Sequence, residues 1–267
     1  MKRHPVVAGR FYPNDPRELQ SQLDLFLARG AEPRDAFGLI APHAGYVYSG
    51  AIAGETFARV NIPERVVLLG PNHTGNGRSW AVYSAGSWLT PLGECPIDEN
   101  LAALILAECP GTQADEQAHR FEHSLEVQIP FVQRLAPQAQ IVPICLGGGT
   151  LAELLLLGKS LGAILASYPR KTLIVASSDM THYEPGEVAE KKDRKAIEQI
   201  LKLDAAELFG TVRADRISMC GVLPVTVMLA AVREMGATKG TLVHYGSSGD
   251  ITHDWTEVVG YAGVIIE

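Results

Sequence analysis

The sequence predicts an α/β protein, a single doubly wound domain over residues 1–267 with a mainly parallel central sheet flanked by helices. Short apolar runs at Phe37–Ala41 (FGLIA), Val66–Leu69 (VVLL), Ile141–Ile144 (IVPI) and Leu173–Ala176 (LIVA) have the length and aliphatic content of buried strands. Helix-length segments separate them, and strand–helix alternation is the sequence form of a parallel sheet. No fixed repeat, low-complexity tract or linker-like composition divides the chain.

Taken in order, Asp15 is placed to cap a helix with Pro16 at its first position, running through Leu19, Leu23 and Phe26. FGLIA leads into PHAGYVYSG, whose tail SGAIAGETFARV reads as helical; VVLLG leads into GPNHTG. Arg78–Ile97, rich in Gly, Ser and aromatics, reads as short strands near the sheet rather than a crossover helix. Helices are expected at Glu99–Ala107 and at Phe121–Leu135. In the latter Phe121, Leu125, Ile129, Val132 and Leu135 recur at three- and four-residue steps, with a kink or break at Pro130. The strand Ile141–Ile144, a helix from Leu151, the strand Leu173–Ala176 and a helix over Glu187–Lys202 follow. A helix at Gly221–Gly236 and closing strands at Thr241–Gly246 and Val258–Ile266 complete the reading.

Composition narrows the function. A formal charge of −7 and the lack of a basic stripe argue against nucleic-acid binding, which needs Lys and Arg to neutralise phosphates. The KKDRK run at Lys191–Lys195 reads as a solvated helix face. Cys95, Cys109, Cys145 and Cys220 form no C-x-x-C pair, which points to free thiols in a reducing compartment. MKRHPVVAGRFYP carries no apolar signal region, and Leu151–Tyr168 is interrupted by Glu153, Lys159 and Ser160. No membrane association and a cytoplasmic location are therefore expected.

The chemistry concentrates just beyond the strands. In an open parallel sheet every βα turn leaves from the same edge, so His43, His73, Asp179 and His182 are expected to converge on one crevice. Asn72 and Tyr46 sit in the same loops and are candidates to line it. Asp179 and His182 are three residues apart; on a helical turn they would share a face, while the plainer reading makes Asp179 a helix cap. Ser177 and Ser178 lack a G-x-S-x-G context and are weak nucleophile candidates. Cys220 precedes an apolar helix, whose dipole favours thiolate, although an inert buried thiol is the commoner fate of cysteine. EHSLE puts Glu122 and Glu126 on one expected helix face beside His123, with Glu122 and His123 in a supporting role or simply exposed.

These residues carry a family resemblance. AGRFYP, PHAGYVYSG, GPNHTG, LTPLGE, EHSLEVQIPF, SSDMTHY, Cys220-Gly221, YGSSGD and VVGYA, in this order from Ala8 to Ala262, resemble the Memo family. That family includes the AmmeMemoRadiSam system protein B group and is similar in fold to class III extradiol dioxygenases. The resemblance implies a metal pocket in which His43, His73 and Cys220 bind Fe(II) or Cu(I), with Asp179 and His182 as further pocket residues. It also implies a functional link to an AMMECR1-type protein and a radical-SAM protein. Extradiol enzymes use two His and a carboxylate. A cysteine at the third position departs from that set, so ring cleavage itself is not carried over. Eukaryotic relatives are described as signalling adaptors and redox proteins.

Three readings follow. The first is a metal-dependent redox site with dioxygenase-like activity on a small substrate, in which His182, oriented by Asp179, is the acid–base group. The second is a non-catalytic module gripping a peptide or small anion in the same pocket. The third is a metal-free enzyme with Cys220 as nucleophile and His182 as base.

Overall fold

The computed structural model describes residues 1–29 and 32–267. Its centre is four parallel strands in the order Gly38–Ala41, Thr172–Ser177, Arg65–Pro71 and Gln140–Leu146. All but the first residues of the last two are buried, as expected of strands covered on both faces. Antiparallel neighbours flank this centre: Val258–Ile266 beside Gly38–Ala41, and Trp80–Val82 beside Gln140–Leu146. Among the described residues the sheet has nine strands, completed by His182–Glu184, Gly240–Ser247 and Gln113–Ala114. A second, three-stranded sheet joins Lys2–Arg3, Ser87–Thr90 and Gly93–Pro96, so the Gly- and aromatic-rich segment does form short strands.

Helices cover both faces, in agreement with the expected α/β fold. Pro16–Leu27, Tyr46–Phe57 and Ile129–Leu135 pack together on one side; Leu151–Ser167, Ala205–Ala214 and Val222–Glu234 pack together on the other. The Asp15 carboxylate accepts from the amides of Arg17 and Glu18 with Pro16 in the first turn, and Leu19, Leu23 and Phe26 are the residues that helix buries. Thr150 and Glu153 form a reciprocal capping box at the start of Leu151–Ser167. That helix is 17 residues long, and among the described residues no helix is long and apolar enough to cross a membrane.

Two local expectations fail. Phe121–Leu135 is not one helix: the chain runs irregularly to a 3₁₀ turn at Glu126–Gln128, and helix begins only at Ile129. Pro130 lies in the first turn of that helix, where its missing N–H costs nothing; of the kink or break expected there, the chain shows the break. The helix Ala205–Ala214, capped by Asp204, has no counterpart in the sequence reading.

Candidate metal centre

Three adjacent strands deliver the site. Gly38–Ala41, Thr172–Ser177 and Arg65–Pro71 end at the same edge, and the next few residues of each carry His43, Asp179 and His73. The loop after Gln113–Ala114 adds His123 from another direction. One ligand nitrogen from each of His43, His73 and His123 lies within 4.8 Å of the others. The rings of His43 and His73 are 5.2 Å apart, and those of His73 and His123 stack at 4.8 Å and 21°.

The hydrogen bonds fix which nitrogens are available. Ser177 Oγ has one proton, which it gives to the carbonyl of Ser124 at 2.7 Å. It therefore accepts from Gln128 Nε2 at 2.8 Å and from His43 Nδ1 at 2.9 Å. His43 is thus the Nδ1–H tautomer, with a lone pair on Nε2. His73 Nδ1 faces Glu122 Oε1 at 2.9 Å, and a carboxylate only accepts, so its Nε2 is likewise a free donor atom for a metal.

Glu122 is fully buried and also accepts from the amides of His73 and Ser124. Burial works to raise its pKa, but the hydrogen bond and charge of His73, with the Ser124 amide, hold it down to about 2. Burial pushes His43 well below the ordinary imidazole value, and the neighbouring His123 and His73 add to this, so it stays neutral. Burial also lowers His123, against the opposing pull of Glu122. Imidazoles of His43 and His123 held toward the neutral form, beside an ionised Glu122 that fixes the His73 ring, suit a divalent transition metal.

Cys220 stands beside this group. Its thiol is 3.2 Å from His43 Nε2 and donates to that lone pair, while the Asp179 amide points at the sulfur from 3.3 Å. Gly221 is required next to it, since a Cβ there would lie 2.5 Å from the Ser177 carbonyl. The expectation of a thiolate favoured by the helix dipole is not met: burial, then the Asp179 charge, push the thiol above its usual value.

Asp179 and His182 come to the same region in a different relationship from the one expected. Asp179 Oδ1 accepts from the His43 amide at 2.7 Å, and Oδ2 lies 4.0 Å from His43 Nε2, so this carboxylate serves the His43 loop. Burial raises its pKa above the ordinary carboxylate range. His182 opens the strand His182–Glu184 instead of a helical turn, and its Nδ1–H donates to the carbonyls of Met180 at 2.8 Å and Ser218 at 3.0 Å. Those carbonyls, rather than Asp179, orient the ring.

Two candidate lining residues do other work. Tyr46 is buried against Tyr12, Phe26 and Phe131, and its hydroxyl donates to Val127 O at 2.7 Å; it belongs to the core. Asn72 spends its side chain on the loop's own turn, with Oδ1 accepting from Thr74 and Gly75 and Nδ2 donating to Asn76 O. The sequence reading missed Ser177, Ser124 and Gln128 as supports of His43. The one available signal is Ser177's place at a strand end, which brings it to the site without saying that it supports an imidazole.

The chain matches, over residues 3–265, the sequence profile of a family described as "Memo-like protein". It is 45% identical over 267 residues to a MEMO1 family protein of Aquifex aeolicus, covering 98% of both chains. It is 40% identical over 279 residues to one of Methanopyrus kandleri, covering 99% of both. Among solved structures it is similar to an uncharacterized protein of Escherichia coli K12, with TM-score 0.59 and 13% identity over 85% of this chain and 98% of that one. At that identity the likeness concerns the fold alone.

Proposed function

The chain belongs to the Memo-like protein family, and from that premise we propose that it is a metal-dependent protein whose three imidazoles bind iron or copper for redox chemistry on a small substrate. The observation that carries this reading is the convergence of His43, His73 and His123 within 4.8 Å. The donor set fits such an ion: imidazole suits iron and copper alike, and two of the three rings have their tautomers fixed from behind. Cys220 lies outside that mutual 4.8 Å group but 3.2 Å from His43 Nε2, and in this reading it would add a thiolate, which favours Cu(I) or iron over harder cations.

A bound ion would supply electron transfer and Lewis acidity. The chain's own groups do the rest. Ser177 and Glu122 hold the two rings in their ligating tautomers, and Asp179 holds the backbone that carries His43. His182, with Nδ1–H fixed by two carbonyls, presents Nε2 as a proton acceptor, the acid–base role assigned to it here.

Metal analysis of protein purified without oxygen tests the reading. We expect about one iron or copper ion per chain in the wild type, by the stoichiometry of a single donor cluster. His43→Ala and His73→Ala should lose it, and Cys220→Ser should bind copper more weakly. Full retention of stoichiometric metal in both histidine variants would overturn the assignment.

A further inference from the structure

Two motifs singled out in the sequence, AGRFYP and EHSLE, are joined by a buried clamp. Arg3 is 6% exposed, and its guanidinium uses all three nitrogens on one short segment. Nε donates to His119 O at 2.7 Å, Nη2 to Glu122 O at 2.6 Å, and Nη1 to Glu126 Oε2 at 2.7 Å. The same guanidinium lies 4.0 Å from the centre of the Trp88 ring. Glu126, fully buried, then holds the chain that follows Arg3: it accepts from the amides of Val6 at 2.9 Å and Val7 at 3.0 Å, and from the Tyr12 hydroxyl at 2.8 Å. Phe11 completes the strap, its ring 4.9 Å from that of His123 and its carbonyl accepting from the Tyr46 amide at 2.7 Å.

The clamped segment is the one that needs it. Residues 120–125 lie between the 3₁₀ turns Gln117–His119 and Glu126–Gln128, outside any helix or strand ladder. Yet this segment carries Glu122, which orients His73, and His123, one of the three donors. His123 Nδ1 is 3.5 Å from Glu122 Oε1, too far for a strong hydrogen bond, so ring packing and the backbone decide where its nitrogen points. Of the two backbone carbonyls that Arg3 holds, Glu122 O belongs to this stretch and His119 O closes the turn just before it.

We propose that residues 3–12 form the positioning element of the metal centre, with Arg3 the positioning residue that sets where Glu122 and His123 stand. This deepens the metal reading and rests on it. Neither Arg3 nor Phe11 is a ligand; both act through the Glu122–His123 segment. A lysine at position 3 keeps the charge but has a single ammonium, which does not reproduce the planar fork across three acceptors.

Co(II) titration, followed by its visible absorption, tests this with the metal alone as probe. Arg3→Lys and Phe11→Ala should each weaken Co(II) binding by ~10–100-fold, the usual cost of disturbing groups that orient ligands. Leu23→Ala, which truncates the buried face of Pro16–Leu27, should lower the unfolding midpoint but keep wild-type Co(II) affinity wherever it is folded. Arg3→Lys and Phe11→Ala binding Co(II) like the wild type would overturn the proposal while leaving the metal reading intact. If Arg3→Lys does not fold, Phe11→Ala decides alone, since it removes only a half-buried ring. Failure of the wild type to bind Co(II) would remove both readings, and it shows before any variant is compared.

Discussion

A single hydroxyl proton decides what His43 can do. Because Ser177 gives its hydrogen to Ser124 O, the imidazole opposite must offer an N–H, and the lone pair is left on the ring's other side. Glu122 imposes the same choice on His73 through charge. Another buried imidazole, His119, has no place in the site but marks the pH behaviour. It is fully buried, donates to Ala81 O, and is held down to about 4, by burial first and the Arg3 charge second, against a rise from its hydrogen bond to Ala81. The unfolded chain therefore takes up a proton at this residue before the folded chain does. Its stabilising contribution is complete above the ordinary value near 6.5 and is lost as pH falls from there toward 4. Urea unfolding at pH 7 and pH 5 should show that His119→Gln removes about 2 kcal/mol of the acid-side loss of stability. An unchanged pH dependence in the variant would contradict this placement.

At the scale of elements, two helical glycines should respond to the same substitution in opposite directions. Leu151–Ser167 packs on Val222–Glu234 through Gly158, where an added Cβ would stand 2.6 Å from Val227 O. Gly158→Ala should destabilise by about 1–3 kcal/mol, since overpacking outweighs alanine's better helix propensity. Gly210, in Ala205–Ala214, has nothing within 4 Å of its Cβ position, so Gly210→Ala should stabilise by about 0.5–1 kcal/mol. Denaturant midpoints of the two variants check both signs.

Elements also show what the sequence could convey. Strands buried on both faces were legible because an unbroken apolar run has few other uses. The Phe121–Leu135 helix was a false reading for a physical reason. Apolar spacing assumes that the intervening polar residues face water, but Glu122, Ser124, Glu126 and Gln128 are all fully buried. Their partners lie far away in sequence: His73 for Glu122, Pro71 O for Ser124, Arg3 for Glu126, Ser177 for Gln128. No local pattern announces such partners. Tyr46 misled in the converse way, as a residue of a histidine loop that turns into the core.

For the whole molecule, the site is a product of strand order. Thr172–Ser177 lies between the strands that lead to His43 and His73, so residues 30 positions apart in sequence meet over the end of a strand that arrives a hundred residues later. That convergence followed from the parallel topology alone. The place of His123 did not, because its segment lies outside the strands and is held by side chains, Arg3 on one side and Ser177 on the other. The same geometry accounts for the clustering of the imidazoles, with the ionised Glu122 carboxylate behind them and the thiol beside them.

The most direct test is a crystal structure of protein prepared without oxygen, with anomalous scattering collected at the iron and copper absorption edges. The account expects one peak at one of these edges, within bonding distance of nitrogens from His43, His73 and His123. A fully occupied peak elsewhere in the chain, or none in protein reconstituted with both metals, would contradict it.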